Sequence, residues 1–280
     1  MLADAEAPPD LWTAFTWDPL LLGVLLLALT SYGRGLFRLW RTNRGAGVSR
    51  LQAAAFGAGW VALVAALVWP LDAFGGWSLA AHMAQHMILM ALAPPLLVVG
   101  MAGAVWLAAL PAAMGRRLGG PLRGHAAGLA RNAMIATCVQ ALVMWGWHLP
   151  VAMDAALRHD LVHYAMHFSF LGAGFWFWTT LHGSLREPSF GAGAALIAIV
   201  ATMMQMGLLS ALITFASQPR YEYYLARAPQ IGLTALEDQQ LAGLIMWVPA
   251  ALPYLIGGIV VGAVWLRRGE RRDATRNEVM

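Results

Sequence analysis

The chain contains no lysine; all 18 of its basic residues are arginine. A seven-span retinal protein, which needs a Schiff-base lysine, is therefore excluded, as is every other mechanism built on a lysine amine. Cysteine is almost as scarce. Cys138 stands alone, so no disulfide forms within the chain and the redox compartment is not legible from thiols. Charge is the third scarcity, at 11% of residues against about 25% in a soluble domain. A glycine-rich phosphate loop, a G-x-S-x-G elbow and a carboxylate pair at a reaction centre are also missing. Hydrolysis and phosphoryl transfer have no support, and no catalytic residue is assigned.

What is present is apolar. Hydrophobic residues make up 60% of the chain, and the mean hydropathy is +0.62. No Asp, Glu, Lys or Arg occurs from Ala73 to Gly115, Asn132 to Met153, Leu161 to Leu185, Pro188 to Pro219 or Gln239 to Leu266. Runs of about 20 apolar residues are long enough to cross a bilayer. The pattern predicts an all-α, polytopic membrane bundle of seven transmembrane helices, at Pro19–Trp40, Arg50–Leu71, Trp77–Gly100, Leu129–Trp147, Asp160–His182, Phe190–Ala216 and Asp238–Leu266. Met101–Gly115 reads as an interfacial segment. Pro94-Pro95 and Pro249 are expected to kink or interrupt their spans.

Arginine sets the expected orientation. Arg34, Arg38, Arg41, Arg44 and Arg50 cluster after the first span, and Arg116, Arg117 and Arg123 after the third. Arg267, Arg268, Arg271, Arg272 and Arg276 follow the last. The opposite side has Asp4, Glu6, Asp10, Asp72 and Asp154. The expectation is an outer N-terminus and an inner C-terminus. Residues 1–18 form an acidic periplasmic tail, 19–266 the membrane domain and 267–280 a basic cytoplasmic tail. MLADAEAPPD has no basic n-region and does not read as a cleaved signal. The pI of 9.7 reflects arginines at span ends, not nucleic-acid binding.

This topology gives each histidine a depth. His82 lies roughly 9 Å into the third span at 1.5 Å per residue, and His86 is one turn deeper. His148 closes the fourth span, and His159, His163 and His167 open the fifth. Only His125 and His182 fall on the inner side. His82 and His86 share one helical face, flanked by Met83 and Met90; His159, His163 and His167 repeat the spacing beside Met166. Paired imidazoles of this kind chelate transition metals, and thioethers shift preference toward Cu(I). The bland alternative is helix glue, with each imidazole hydrogen-bonding across helices.

The remaining candidates divide as follows. Asp238 either caps the helix it opens or serves as a metal ligand or as a partner orienting a histidine. Asp72 and Asp154 are expected to be exposed. Met203, Met204 and Met206 read as packing residues, Cys138 as a buried small apolar side chain, and His148 and His159 as the most interfacial histidines. Trp145, Trp147, Trp176 and Trp178 fit an aromatic belt.

Four stretches carry a resemblance: HMAQHMILMALAPPLLVVG at His82–Gly100, WHLPVAMDAAL at Trp147–Leu157, HYAMHFSFLGAGFWFW at His163–Trp178 and EDQQLAGLIMWVP at Glu237–Pro249. Together they resemble the multi-span cytochrome c oxidase assembly factor family CtaG, associated with caa-type oxidases and distinct from the single-span copper chaperone of that name. The resemblance puts His82, His86, His148, His163, His167 and Asp238 at the family's motif positions. It implies a bacterial inner-membrane protein needed to produce active haem-copper oxidase. Its partners would be an oxidase subunit within the membrane and a periplasmic copper donor.

Three functional readings therefore compete with a fourth, a purely scaffolding role in which the histidines are only helix glue. In the first, His82, His86, His163 and His167 hold copper, with His148 and Asp238 as further ligands or supporting groups, and the metal passes to the oxidase by ligand exchange. The second is a b-type haem or quinone oxidoreductase. Two histidines at i and i+4 cannot ligate one haem from opposite sides, so that reading needs ligands from different helices. The third is a transporter of copper or protons.

Overall fold

A computed structural model describes residues 8–10, 13–41, 45, 47–101, 103–111, 114, 117, 124, 128, 132–186 and 191–278, with side chains as far as residue 270. Among the described residues all regular structure is helical. The longer elements are α1 (Pro19–Trp40), α2 (Arg50–Leu67), α3 (Leu71–Gly75), α4 (Leu79–Gly100), α5 (Gly103–Ala109), α6 (Ala133–Trp147), α7 (Pro150–Arg158), α8 (Asp160–Arg186), α9 (Ala192–Thr214) and α10 (Ala235–Glu278). Two short 3₁₀ turns, Glu222–Tyr224 and Ala228–Ile231, lie between α9 and α10.

Five helical segments are long and apolar enough to cross a membrane: Pro19–Trp40, Arg50–Gly75, Leu79–Gly100, Ala192–Thr214 and Ala235–Glu270. A sixth arises if α6 and α7, bent by 74°, count as one span. The expected fifth span, α8, is outside this set although it has 27 residues. Its polar side chains explain why: Asp160, His163, His167, Ser169, Thr179, Thr180 and His182 all dilute an otherwise apolar helix.

Local sequence accounts for the helix starts. Asp18 accepts hydrogen bonds from the amides of Leu20 and Leu21 at 2.7 and 3.1 Å, ahead of Pro19 at the first helical position. Its carboxyl is also held below the usual range by the hydroxyl of Tyr164 and by these amides. Ser49 and Gln52 form a reciprocal capping box at α2. The last helix ends later than expected. Pro249 and Pro253 lie inside α10, which runs on through residues 267–278, so Pro249 does not interrupt its span.

Pro94 and Pro95 do disturb theirs. Just before them α4 passes through a π-helical turn, Ile88–Leu92. Pro94 lacks the amide that would otherwise reach back to Met90, and the Met90 carbonyl instead accepts from Trp178 Nε1 at 3.2 Å. Gly174 lies against the same carbonyl; a Cβ there would sit 2.6 Å from the oxygen. A small residue thus lets α8 approach the π turn closely.

α4 is the axis of the bundle. It contacts α2, α3, α8 and α10, and most of its surface is buried, whereas α1 is largely exposed. The segment expected at the interface contains α5, and the carbonyls of Ala108 near its end and Leu110 just beyond it accept from Arg38. One further expectation is corrected. Cys138 is exposed on the outer surface of α6. Trp145, Trp147 and Trp176 are half-buried and Trp178 is buried. Trp145 donates to Gln205 and Trp147 to Ser169, both at 2.8 Å. Arg44, Arg116, Arg123, His125, Asp4 and Glu6 lie outside the described residues, as do the side chains of Arg271, Arg272 and Arg276.

Candidate metal centre

Five histidines from three helices meet in the interior. His82 and His86 come from α4, His163 and His167 from α8, and His148 follows the last turn of α6. Ring centroids are 4.2 Å apart for His82–His86 and for His163–His167, each pair edge to face. Between helices the separations are 5.7 Å for His82–His163, 5.8 Å for His86–His167, 6.4 Å for His82–His167 and 6.3 Å for His86–His148. The i,i+4 spacing stacks each pair on one face, and the close approach of α8 to α4 sets the two pairs opposite one another. His159 is exposed outside the cluster, and His182 is half-buried near the far end of α8.

The cluster is under-satisfied. His82 and His86 are 0% exposed, and both nitrogens of His86, Nε2 of His82 and Nε2 of His167 have no hydrogen-bond partner. A buried polar group without a partner costs about 1–3 kcal/mol. Helix glue is therefore a poor description of His86, since the hydrogen bonds that glue requires are not made.

His148 differs. Its Nδ1 lies 2.6 Å from the Met144 carbonyl, which can only accept, so the proton is on Nδ1. That leaves the lone pair on Nε2, which faces Met83 Sδ at 3.1 Å. The His148 carbonyl accepts from Tyr221 at 2.9 Å, and the Gly75 carbonyl from Tyr224 at 2.7 Å. Burial pushes the Tyr221 hydroxyl up to about 12 and that of Tyr224 well above its ordinary value, so both remain protonated donors.

Asp238 is not among the rings. It is fully buried and caps α4, a helix remote in sequence, and not α10, which it helps to open. Its oxygens accept from Ser78 Oγ at 2.6 Å and from the amides of Leu79 and Ala80 at 2.6 and 3.2 Å. Ser78 Oγ in turn accepts from the Ala81 amide. The carboxylate answers both the free amides and the positive end of the dipole of the helix that carries His82 and His86.

Sequence reasoning missed Asp72. Expected at the surface, it is half-buried on α3, and one oxygen lies 4.0 Å from His163 Nε2. Ligand atoms of Asp72, His163 and His167 all fall within 4.8 Å of one another. Gln85, fully buried on α4, ties Asp72 into the bundle by donating to it at 2.9 Å and to the Ala66 carbonyl at 2.8 Å. The available signal was Asp72's place at the edge of the charge-free run that begins at Ala73. Asp154, also expected to be exposed, is half-buried, with one oxygen buried and unpartnered.

Beside the cluster lies a cavity of about 260 Å³, bounded in part by Thr16, Asp72, Asp160, His163, His167 and Tyr223. The donor set of imidazoles, one thioether and one carboxylate suits a soft or borderline transition-metal ion; Cu(I) favours the sulfur, and Zn(II) or Cu(II) would use the carboxylate.

These features define a helical protein with several helices long and apolar enough to cross a membrane and a cluster of histidines in its interior. A family model described as cytochrome c oxidase caa3 assembly factor (Caa3_CtaG) matches residues 30–268. The chain belongs to that family. It is also 27% identical, over 94% of its own length, to an uncharacterized protein of Mycobacterium leprae (strain TN), of which it covers 42%. The chain thus spans about two fifths of the curated relative it matches. No solved structure matches it.

Proposed function

We propose that the chain is an assembly factor for a haem-copper cytochrome c oxidase, binding copper as cargo at the histidine cluster and supporting its delivery to the oxidase within the membrane. The observation that carries the metal reading is His86: wholly buried, both nitrogens unpartnered, with three other imidazoles around it. Family membership supports the oxidase as client. In this reading the donors are His82, His86, His148, His163 and His167, while Asp238 holds the helix that presents the first two.

The proposed setting is the bacterial inner membrane, with α8 added to the apolar spans and the bent α6–α7 pair counted as one, giving seven. The arginine bias supports an outer N-terminus. On that orientation the cluster lies in the outer half of the bilayer, reached by copper from a periplasmic donor. Bond-making in delivery consists of one imidazole or thioether replacing another on the ion.

The test is metal analysis of purified full-length protein after Cu(I) loading, with an absorption spectrum of the same sample, comparing wild type with His82→Ala/His86→Ala. Retained copper in wild type, its loss in the double variant and no Soret band are expected. Equal copper in both, or a haem spectrum, would overturn the reading. Copper content of the oxidase in cells carrying each form tests delivery.

A further inference from the structure

Not all five histidines are equally accessible. His163 and His167 line the cavity; His82, His86 and His148 do not. An ion arriving through the cavity therefore meets the histidines of α8 before those of α4. Asp72 and Asp160 contribute carboxylates to the same wall, an electrostatic lure for a cation.

Ring spacing divides the cluster further. A metal–nitrogen bond is about 2.0 Å and an imidazole nitrogen lies about 1.1 Å from its ring centroid, so two rings gripping one ion from opposite sides stand about 6 Å apart. The cross-helix pairs His82–His163 and His86–His167 are at 5.7 and 5.8 Å. The same-helix pairs, at 4.2 Å and edge to face, are too close for that arrangement. The four rings thus make two rungs between α4 and α8, one helical turn apart. Asp72 stands 4.0 Å from His163 of the first, with its ligand atom also within 4.8 Å of that of His167 of the second. His148, its Nε2 facing Met83, lies beyond His86 in the second.

We propose that these rungs are successive stations for one copper ion: a receiving station of His163 and His82 with Asp72 alongside, and a holding station of His167 and His86 backed by His148 and Met83. The inference rests on the copper reading of the same cluster. The ion keeps its oxidation state throughout. Each move makes one metal–nitrogen bond as another breaks, and the diagonal pair His82–His167, at 6.4 Å, gives the intermediate position. At the receiving station the Asp72 carboxylate, a poor ligand for Cu(I), acts on the ion through its charge; imidazole with thioether at the holding station suits retention of Cu(I).

Stopped-flow loading of detergent-purified protein from a coloured Cu(I) chelate, followed by competition with the same chelator, separates the stations. Asp72→Asn and His163→Gln are expected to slow loading about tenfold or more and to weaken final affinity less than His86→Ala does, whereas His86→Ala is expected to load at close to the wild-type rate but release copper about a hundredfold faster. Asp72→Asn keeps an oxygen to accept from Gln85, so it tests the point even if His163→Gln unfolds. Parallel loss of affinity in all three variants with unchanged loading rates would mean one undivided site and would overturn the two stations while sparing the copper reading. Failure of wild type to load at all would overturn that reading itself, and the stations with it.

Discussion

His148 Nε2 and Met83 Sδ face each other at 3.1 Å, and in the neutral imidazole with its proton on Nδ1 there is no proton between them. The proton of His148 is committed to the Met144 carbonyl, so two electron-pair donors are held in contact at a buried site. A soft cation between them would relieve that opposition. Met83→Leu preserves volume and is expected to change stability by less than about 1.5 kcal/mol. It is expected to weaken Cu(I) binding about tenfold, or 1.4 kcal/mol, and to leave Zn(II) binding unchanged. Competition titrations with both ions check this; equal weakening of both would remove the case for a thioether ligand.

Gly174 controls how closely α8 meets α4. Any side chain there collides with the Met90 carbonyl, which is backbone and cannot swing away. Gly174→Val is expected to destabilise the fold by about 1–3 kcal/mol and to weaken copper binding by separating the two histidine pairs. At Gly172, two residues earlier on the same helix, an added Cβ would meet nothing within 4 Å. Gly172→Ala is expected to be neutral or to stabilise by up to about 1 kcal/mol. Thermal unfolding of the two variants in detergent distinguishes a packing contact from a general intolerance of the helix.

Much of this was legible in sequence because the membrane imposes it. Charge-free runs located most of the long helices, and the i,i+4 spacing of His82–His86 and His163–His167 put each pair on one face. Depth alone grouped His148 with them. The residues read poorly were those whose role depends on the tertiary partner. Asp238 caps a helix that begins 159 residues earlier, and no local pattern announces that. Asp72 is drawn into the cluster by Gln85 and His163, from helices it meets only after folding. The hydrogen-bond partners of Trp145, Trp147 and Trp178 were likewise not legible, because each lies on another helix.

Cys138 offers a control. It is exposed on α6 and is not among the side chains that make contact with the five rings. Cys138→Ser is expected to leave copper stoichiometry and Cu(I) affinity unchanged and to alter stability by no more than about 0.5 kcal/mol. A fall in bound copper would bring the thiol into the transfer path and would require α6 to move.

Asp238 provides the sharpest separation of support from ligation. Its carboxylate is wholly buried and accepts three hydrogen bonds from the start of α4, so an isosteric Asn has too few acceptor sites and turns a donor toward donors. Asp238→Asn is expected to lower stability by about 1–3 kcal/mol, because at least one buried donor loses its partner and the helix dipole loses its counter-charge. Copper stoichiometry of the folded fraction is expected to remain that of wild type, since none of the imidazoles is removed. The pair of measurements is thermal unfolding in detergent and metal content after Cu(I) loading. Loss of copper with an unchanged unfolding midpoint would make Asp238 a ligand. Loss of stability with copper retained would make it the residue that fixes where His82 and His86 stand.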